Sequence, residues 1–191
     1  MSNKDLSSDN NFMAQAIKNT LSTPNTWDKH TNRRIGLLHP LIRRYVALAV
    51  NELEKEHNIF VRVSDGLRDF DEQDRLYGSS RTSKKLYERG VNVEYANPKG
   101  SWRTNAKGGE SFHNYGLAVD LVEIRDGKAH WGDAKWDIIS EVFKKHGFEW
   151  LFEQIKKDKP HFQMTFGYTW KQLAWFKKEQ NKEYVDFSKL I

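Results

Sequence analysis

The chain has 191 residues, which at about 100 to 200 residues per domain leaves room for one domain with its own core and little room for two. Apolar residues make up 38% and charged residues 30%, with a mean hydropathy of −0.81, so no run approaches the roughly 18 apolar residues of a spanning helix. Cysteine is absent, which excludes disulfides, thiolate metal sites and a cysteine nucleophile and leaves any metal to His and carboxylate. Seven Trp, seven Tyr and eleven Phe supply core surface despite the low aliphatic content. Lys and Arg number 31 against 26 Asp and Glu, a modest excess that favours anionic partners such as cell-wall polymers, nucleic acid or membrane surfaces and decides nothing alone.

Residues 1–24 are expected to form a polar tail and a short helix, Phe12 to Leu21, ending before Pro24. No signal-peptide core is visible there, so the expectation is synthesis in the cytoplasm without a signal peptide. From Pro40 the apolar positions Leu41, Ile42, Tyr45, Val46, Leu48, Ala49 and Leu53 recur at helical spacing, which predicts a core-packing helix to about His57. Ile59 to Ser64 is β-branched and closes on Asp65-Gly66, a strand and turn that place Arg68 just beyond. Asp69 can cap the next helix, which carries Gln73, Leu76 and Tyr77. The stretch from 79 to 110 has no sustained period and is expected to be a functional loop.

Leu117 to Ile124 (L-A-V-D-L-V-E-I) predicts a strand covered on both faces, which leaves Asp120 as a carboxylate in a dry place. A helix is expected from about Ala134 to His146, stopped by Gly147. His161 to Phe166 (H-F-Q-M-T-F) alternates as a strand, with His161 turned away from the apolar layer. Trp170 to Trp175 suggests a last helix, and 181–191 is expected to be a tail. The main folded domain is thus expected over 25–180.

Of seven His, His30, His39, His57, His130 and His146 stand in polar or helix-end contexts where capping or solvated roles suffice. His113 differs, because it lies three residues before Gly116 and seven before Asp120. An odd separation puts two side chains on opposite faces of a straight strand, so a bend at Gly116 is needed to converge them. A buried lone carboxylate costs several kcal/mol without a compensating cation. A metal held by His113, Asp120 and His161 would supply one, and two His with one carboxylate leave zinc an open, catalytic position. The alternative is an Asp120 salt bridge to a basic residue with both His outside any metal site. Asp158-Lys159-Pro160-His161 adds a carboxylate on a rigid turn, placed as a general base requires.

S-F-H-N-Y-G-L-A-V-D followed by D-K-P-H resembles the S-x-H-x-x-G-x-A-x-D and (D/E)-x-x-H motifs of the VanY-like zinc peptidases. These are D-Ala-D-Ala carboxypeptidases and L-alanyl-D-glutamate endopeptidases of peptidoglycan, related in fold to hedgehog. The likeness extends over about 35–175, through L-H-P, V-S-D-G-L-R-D-F-D-E-Q, T-N-A-K-G-G-E-S and H-F-Q-M-T-F-G-Y-T-W-K-Q-L. The resemblance implies an α+β fold, a small antiparallel sheet with helices packed on one face. It also implies zinc on His113, Asp120 and His161, Asp158 as general base, Arg68 as the oxyanion's cation, and Ser111 and Gln73 on the substrate side.

The chain departs from the endopeptidase branch in two places. Leu151-Phe152-Glu153-Gln154 replaces the usual Gly-Gly-Asp-Trp wording, with Glu153 a stand-in for the missing acid, and extra residues from Ser83 to Gly100 wall the cleft. The expected activity is hydrolysis of the L-Ala to D-Glu bond of peptidoglycan stem peptides by a monomer that binds neither nucleic acid nor membrane. It would reach the wall by lysis, as an endolysin does, or by dedicated export. The alternatives are a D-Ala-D-Ala carboxypeptidase, which a second Arg near Arg68 (Arg81, Arg89 or Arg103) would favour, and a non-catalytic zinc-containing wall-binding module.

Overall fold

The computed structural model describes residues 23–156 and 158–189, so the helix expected over Phe12 to Leu21 lies outside the described residues. Its helices, in chain order, are α1 (Lys29–Leu37), α2 (Pro40–His57), α3 (Phe70–Gly78), α4 (Ser83–Glu88), α5 (Trp136–Lys145), α6 (Leu151–Ile155) and α7 (Trp170–Gln180). The strands are β1 (Val61–Asp65), β2 (Ala118–Arg125), β3 (Lys128–His130), β4 (Glu149–Trp150) and β5 (His161–Gln163). They form two compact units, one of residues up to Gly66 with Ala118–Met164, the other of Leu67–Leu117 with residues from Thr165 onward. No described helix is long and apolar enough to cross a membrane.

The first unit holds the sheet, an antiparallel array in the order β1-β2-β5-β4 with β3 also on β2. α2 begins where the sequence predicts, with Pro40 in its first turn and the His39 ring accepting from Leu41 N at 3.2 Å. Its face of Leu41, Ile42, Val46, Ala49, Val50 and Leu53 is buried. Val119 and Phe162 are cross-strand partners, and the Phe162 ring lies 4.9 Å from that of Phe143 on α5. That face of the sheet is therefore the helix-covered one, and strand alternation turns Asp120, His161 and Gln163 to the other.

Asp28 closes the unit's N-terminal edge. Its carboxylate caps α1 through Thr31 N at 3.0 Å and accepts from Arg62 Nε on β1 at 2.9 Å. Burial would raise the Asp28 carboxyl, but bonds from Arg62 and Thr31 hold it below its ordinary range.

The second unit begins at the α3 cap, where Asp69 accepts from Glu72 N at 2.7 Å. The 79–110 stretch, expected to lack elements, contains α4 and a 3-10 turn, Val93–Tyr95. Its anchor is a small cluster of buried Tyr77, Leu86 and Val91, one residue from each of three short segments, so no period betrays it. β5 ends at Gln163, three residues earlier than alternation suggests. Phe166 instead takes a left-handed φ of 50° and packs 5.1 Å from Phe187. Val185 and Phe187 are buried, so the last turns of the chain belong to this unit's packing.

Candidate metal centre

Asp120 and His161 are direct partners in the β2–β5 ladder, which puts Asp120 Oδ1 3.3 Å from His161 Nδ1. The ring's other nitrogen, Nε2, lies 3.0 Å from Gln163 Oε1. Both neighbours, the Gln163 amide oxygen and the Asp120 carboxylate, are acceptors, so the protonated ring donates to both and the neutral ring satisfies one of them. With its proton on Nε2 toward Gln163, the ring would offer Nδ1 to a metal, and Gln163 would be that ligand's outer partner. Burial pulls the His161 imidazole down, yet the hydrogen bond and charge of Asp120, with Asp158 and Gln163, leave it raised above its ordinary value. The pair therefore attracts positive charge, whether a proton or a metal cation.

Asp158 sits on the exposed turn before β5, in a left-handed conformation with φ of 63°. Its carbonyl accepts from His161 N at 3.3 Å. The turn is pinned from the sheet side, where Trp150 Nε1 donates to Lys159 O at 2.7 Å and Leu121 N to Pro160 O at 3.0 Å. Glu153, the expected stand-in acid, is exposed on α6 and paired with Lys144 at 2.8 Å. The ion pair accounts for its place, and nothing ties it to Asp120 or His161.

In the second unit, Arg68, Gln73, Ser111 and His113 gather around the 3-10 turn Phe112–Tyr115. Buried Arg68 donates from Nη1 to Gln73 Oε1 at 2.7 Å, and Gln73 Nε2 in turn donates to Ala106 O at 2.8 Å. The backbone of Arg68 is tied to the turn, its N–H donating to His113 O at 3.1 Å. Ser111 Oγ accepts from His113 N at 3.3 Å. Gly116 ends the turn at φ 68°, which supplies the bend the sequence requires before β2.

Three positioning residues escape the sequence analysis. Asn114 accepts from Gly109 N at 2.9 Å and Ser111 N at 3.3 Å, and donates to the carbonyls of Arg68 at 3.1 Å and Asp69 at 3.3 Å. Its signal was available, since Ser111 and Asn114 have capping-box spacing. Gln163 and Trp150 had none, because their roles arise only when β5 pairs. The five His assigned elsewhere include His39 at a cap, His130 beside Asp133 at 3.1 Å and His146 beside Glu52 at 2.9 Å.

Among the described residues two groups could take a metal ion, His113 with Asp120 and His161, and Glu52 with Glu56 and His57. In the second, Glu52 is already engaged by Lys145 at 2.8 Å and by His146. The first is a two-histidine, one-carboxylate donor set, the chemistry of catalytic zinc.

A family model described as D-alanyl-D-alanine carboxypeptidase, of the M15 peptidases, matches residues 104–164. Peptidoglycan L-alanyl-D-glutamate endopeptidase CwlK of Bacillus subtilis is 35% identical over 138 residues, 66% of this chain and 73% of the relative. Among solved structures, the L-Ala D-Glu endopeptidase ChiX of Serratia marcescens aligns over 78% of this chain and 95% of its own, at a TM-score of 0.47 and 23% identity. On the strength of the Bacillus relative and the motif-bearing segment, the chain belongs to the M15 family of VanY-like peptidoglycan peptidases, which are metallopeptidases.

Proposed function

We propose that the protein is a zinc-dependent endopeptidase that hydrolyses the L-Ala–D-Glu bond of peptidoglycan stem peptides, acting as a monomer at the cell wall. The observation that carries this reading is the Asp120–His161 pair, carboxylate oxygen and ring nitrogen 3.3 Å apart, in a chain 35% identical to an endopeptidase of that bond. His113, Asp120 and His161 would hold the zinc, and zinc, when bound, supplies a Lewis acid that makes water nucleophilic near neutral pH. Asp158 takes the proton of the attacking water and returns it to the leaving amine. Arg68, aimed by Gln73 and by the His113 carbonyl, meets the oxyanion with positive charge. Ser111 stands on the substrate side, and Gln73 contributes to it through Arg68.

A carboxypeptidase, as the family model is described, needs a second cation for the substrate's terminal carboxylate. Two of the candidates are committed elsewhere: Arg81 donates to Tyr77 O and to Thr104 O at 2.9 Å, and Arg89 is held by both oxygens of Glu110 at 2.7 and 2.8 Å. Arg103 forms no ion pair among the described residues, so the endopeptidase reading rests on the Bacillus relative and not on a lack of cations.

The test is digestion of purified peptidoglycan by the wild type and by Asp158→Ala, with and without chelator and zinc restoration, and with new termini identified by mass spectrometry. New N-terminal D-Glu that disappears in the variant and under chelation is the expected result. Released D-Ala in its place would assign the carboxypeptidase. No cleavage with one zinc retained per chain would leave the wall-binding module.

A further inference from the structure

Arg81 is a buried cation to which the reaction above gives no part. Its bonds divide between two segments of the second unit. Nη1 donates to the carbonyls of Tyr77 and, at 3.4 Å, Ser79, at the end of α3, and the Arg81 backbone N–H donates to Gly78 O at 3.1 Å. Positive charge suits the carbonyl end of a helix. Nη2 donates instead to Thr104 O at 2.9 Å, and the guanidinium carbon lies 3.9 Å from the centre of the Tyr77 ring. One planar fork therefore clips the 104–108 strap to the helix that carries Gln73. The same clip closes the base of the excursion that holds the extra residues from Ser83 to Gly100.

The strap leads back to the site. Thr104 Oγ1 accepts from Ala106 N at 3.1 Å, and Gly108 N donates to Asp74 Oδ1 of α3 at 2.7 Å, so Ala106 is held on both sides. A Cβ on Gly108 would come within 2.6 Å of the Phe70 carbonyl, so the strap meets α3 there only through a glycine. Ala106 O accepts from Gln73 Nε2, and Gln73 Oε1 accepts from Arg68 Nη1. Gln73 is wholly buried, and its amide has one donor end and one acceptor end. A guanidinium only donates, so Arg68 takes the oxygen and the amide nitrogen must find an acceptor or bear the full cost of burial unpaired. The place of the Ala106 carbonyl thus sets the place of the Gln73 amide, and through it that of the Arg68 guanidinium.

We propose that Arg81 is a positioning residue for Arg68, acting through the Thr104–Ala106 strap and the Gln73 amide. The proposal rests on the peptidase reading, in which Arg68 meets the oxyanion, and extends that machinery to the far end of a chain of hydrogen bonds.

The experiment follows the Arg68 guanidinium directly, in the full chain with zinc added. Nitrogen NMR of the arginine side chains, with Arg68→Lys to identify the signal, reads whether rotation about its Cζ–N bonds is hindered, and soluble stem peptides give kcat and KM per zinc-bound site. Arg81→Met keeps the apolar stem and removes the fork. Thr104→Val, a milder change at a half-buried side chain, removes the acceptor of Ala106 N. Hindered rotation is expected in the wild type, and both variants should shift Arg68 toward averaged rotation. kcat should fall about 10- to 100-fold in Arg81→Met and about 3- to 10-fold in Thr104→Val, with KM within about twofold. On an Arg68→Lys background, Arg81→Met should add less than about twofold to the loss. A clip that merely supports the fold would lower stability and act independently of Arg68. Averaged rotation already in the wild type, hindered rotation that survives both substitutions, or a loss of kcat undiminished on the Arg68→Lys background would therefore overturn the proposal. Release of Arg68 in variants of a chain that cleaves no stem peptide would keep the positioning role and overturn the assigned activity instead.

Discussion

Asp120 and His161 are neighbours because β2 and β5 pair in a register that Val119 and Phe162 dictate from the opposite, helix-covered face. Arg68 and His113 are neighbours because Asn114 spends both ends of its amide on the backbone of Gly109, Ser111, Arg68 and Asp69. In the first region apolar packing places the polar groups, and their own chemistry contributes little to their position. In the second, polar groups place each other, so geometry and hydrogen-bond satisfaction are one quantity. The ladder should thus tolerate loss of a functional side chain and lose only chemistry, while the turn should lose structure and chemistry together.

The sharpest break in that contrast is His161→Ala. Zinc is expected to fall from one per chain to none and activity by roughly 10³-fold or more, while the thermal transition of the metal-free protein stays close to that of metal-free wild type. Atomic absorption with differential scanning calorimetry reads both, and a large loss of apo stability would remove the contrast. Next comes Asn114→Ala, which leaves several buried backbone groups unpaired and should cost about 2–3 kcal/mol by urea titration. Activity should fall in the same variant under conditions where it remains folded, and an unchanged kcat would show that Arg68 and His113 are held by other means. Gln163→Ala removes the partner of His161 Nε2 and should weaken zinc about 10- to 100-fold in a chelator competition with little effect on folding.

The smallest effect belongs to a control away from both regions. Asp28→Asn should cost about 1–2 kcal/mol, from a weakened α1 cap and the lost Arg62 pair. The folded-state carboxyl is depressed, so its contribution is present above the ordinary Asp value of about 4 and is lost as pH falls through that value toward the lower folded one. Stability curves of wild type and variant should therefore converge on acidification, and parallel curves between pH 6 and 3 would refute that role.

Much of this was legible in the chain itself. Pro40 to His57 declared a helix through its period and first-turn proline, and the glycine between His113 and Asp120 declared a bend, which appears as a left-handed Gly116. The 79–110 stretch was opaque because its core is three residues drawn from separate segments, too few to print a period. The end of β5 was misjudged because H-F-Q-M-T-F alternates whether or not a neighbouring strand is there to pair with it, and none of the ladder extends past Gln163.

Local chemistry, then, was determined by sequence alone: which residue types can bind a metal, where the chain must bend, and which helices have a buried face. Those follow from side-chain chemistry, backbone sterics and periodicity, all of which act over a few residues. Only the tertiary structure decided that His161 turns Nδ1 to Asp120, that Glu153 is spent on Lys144, and that Arg81 and Arg89 are engaged while Arg103 faces a cleft. Each of these depends on which distant group arrives to satisfy a charge or a lone pair, and that is settled by strand register and packing across the chain, not by any neighbour along it.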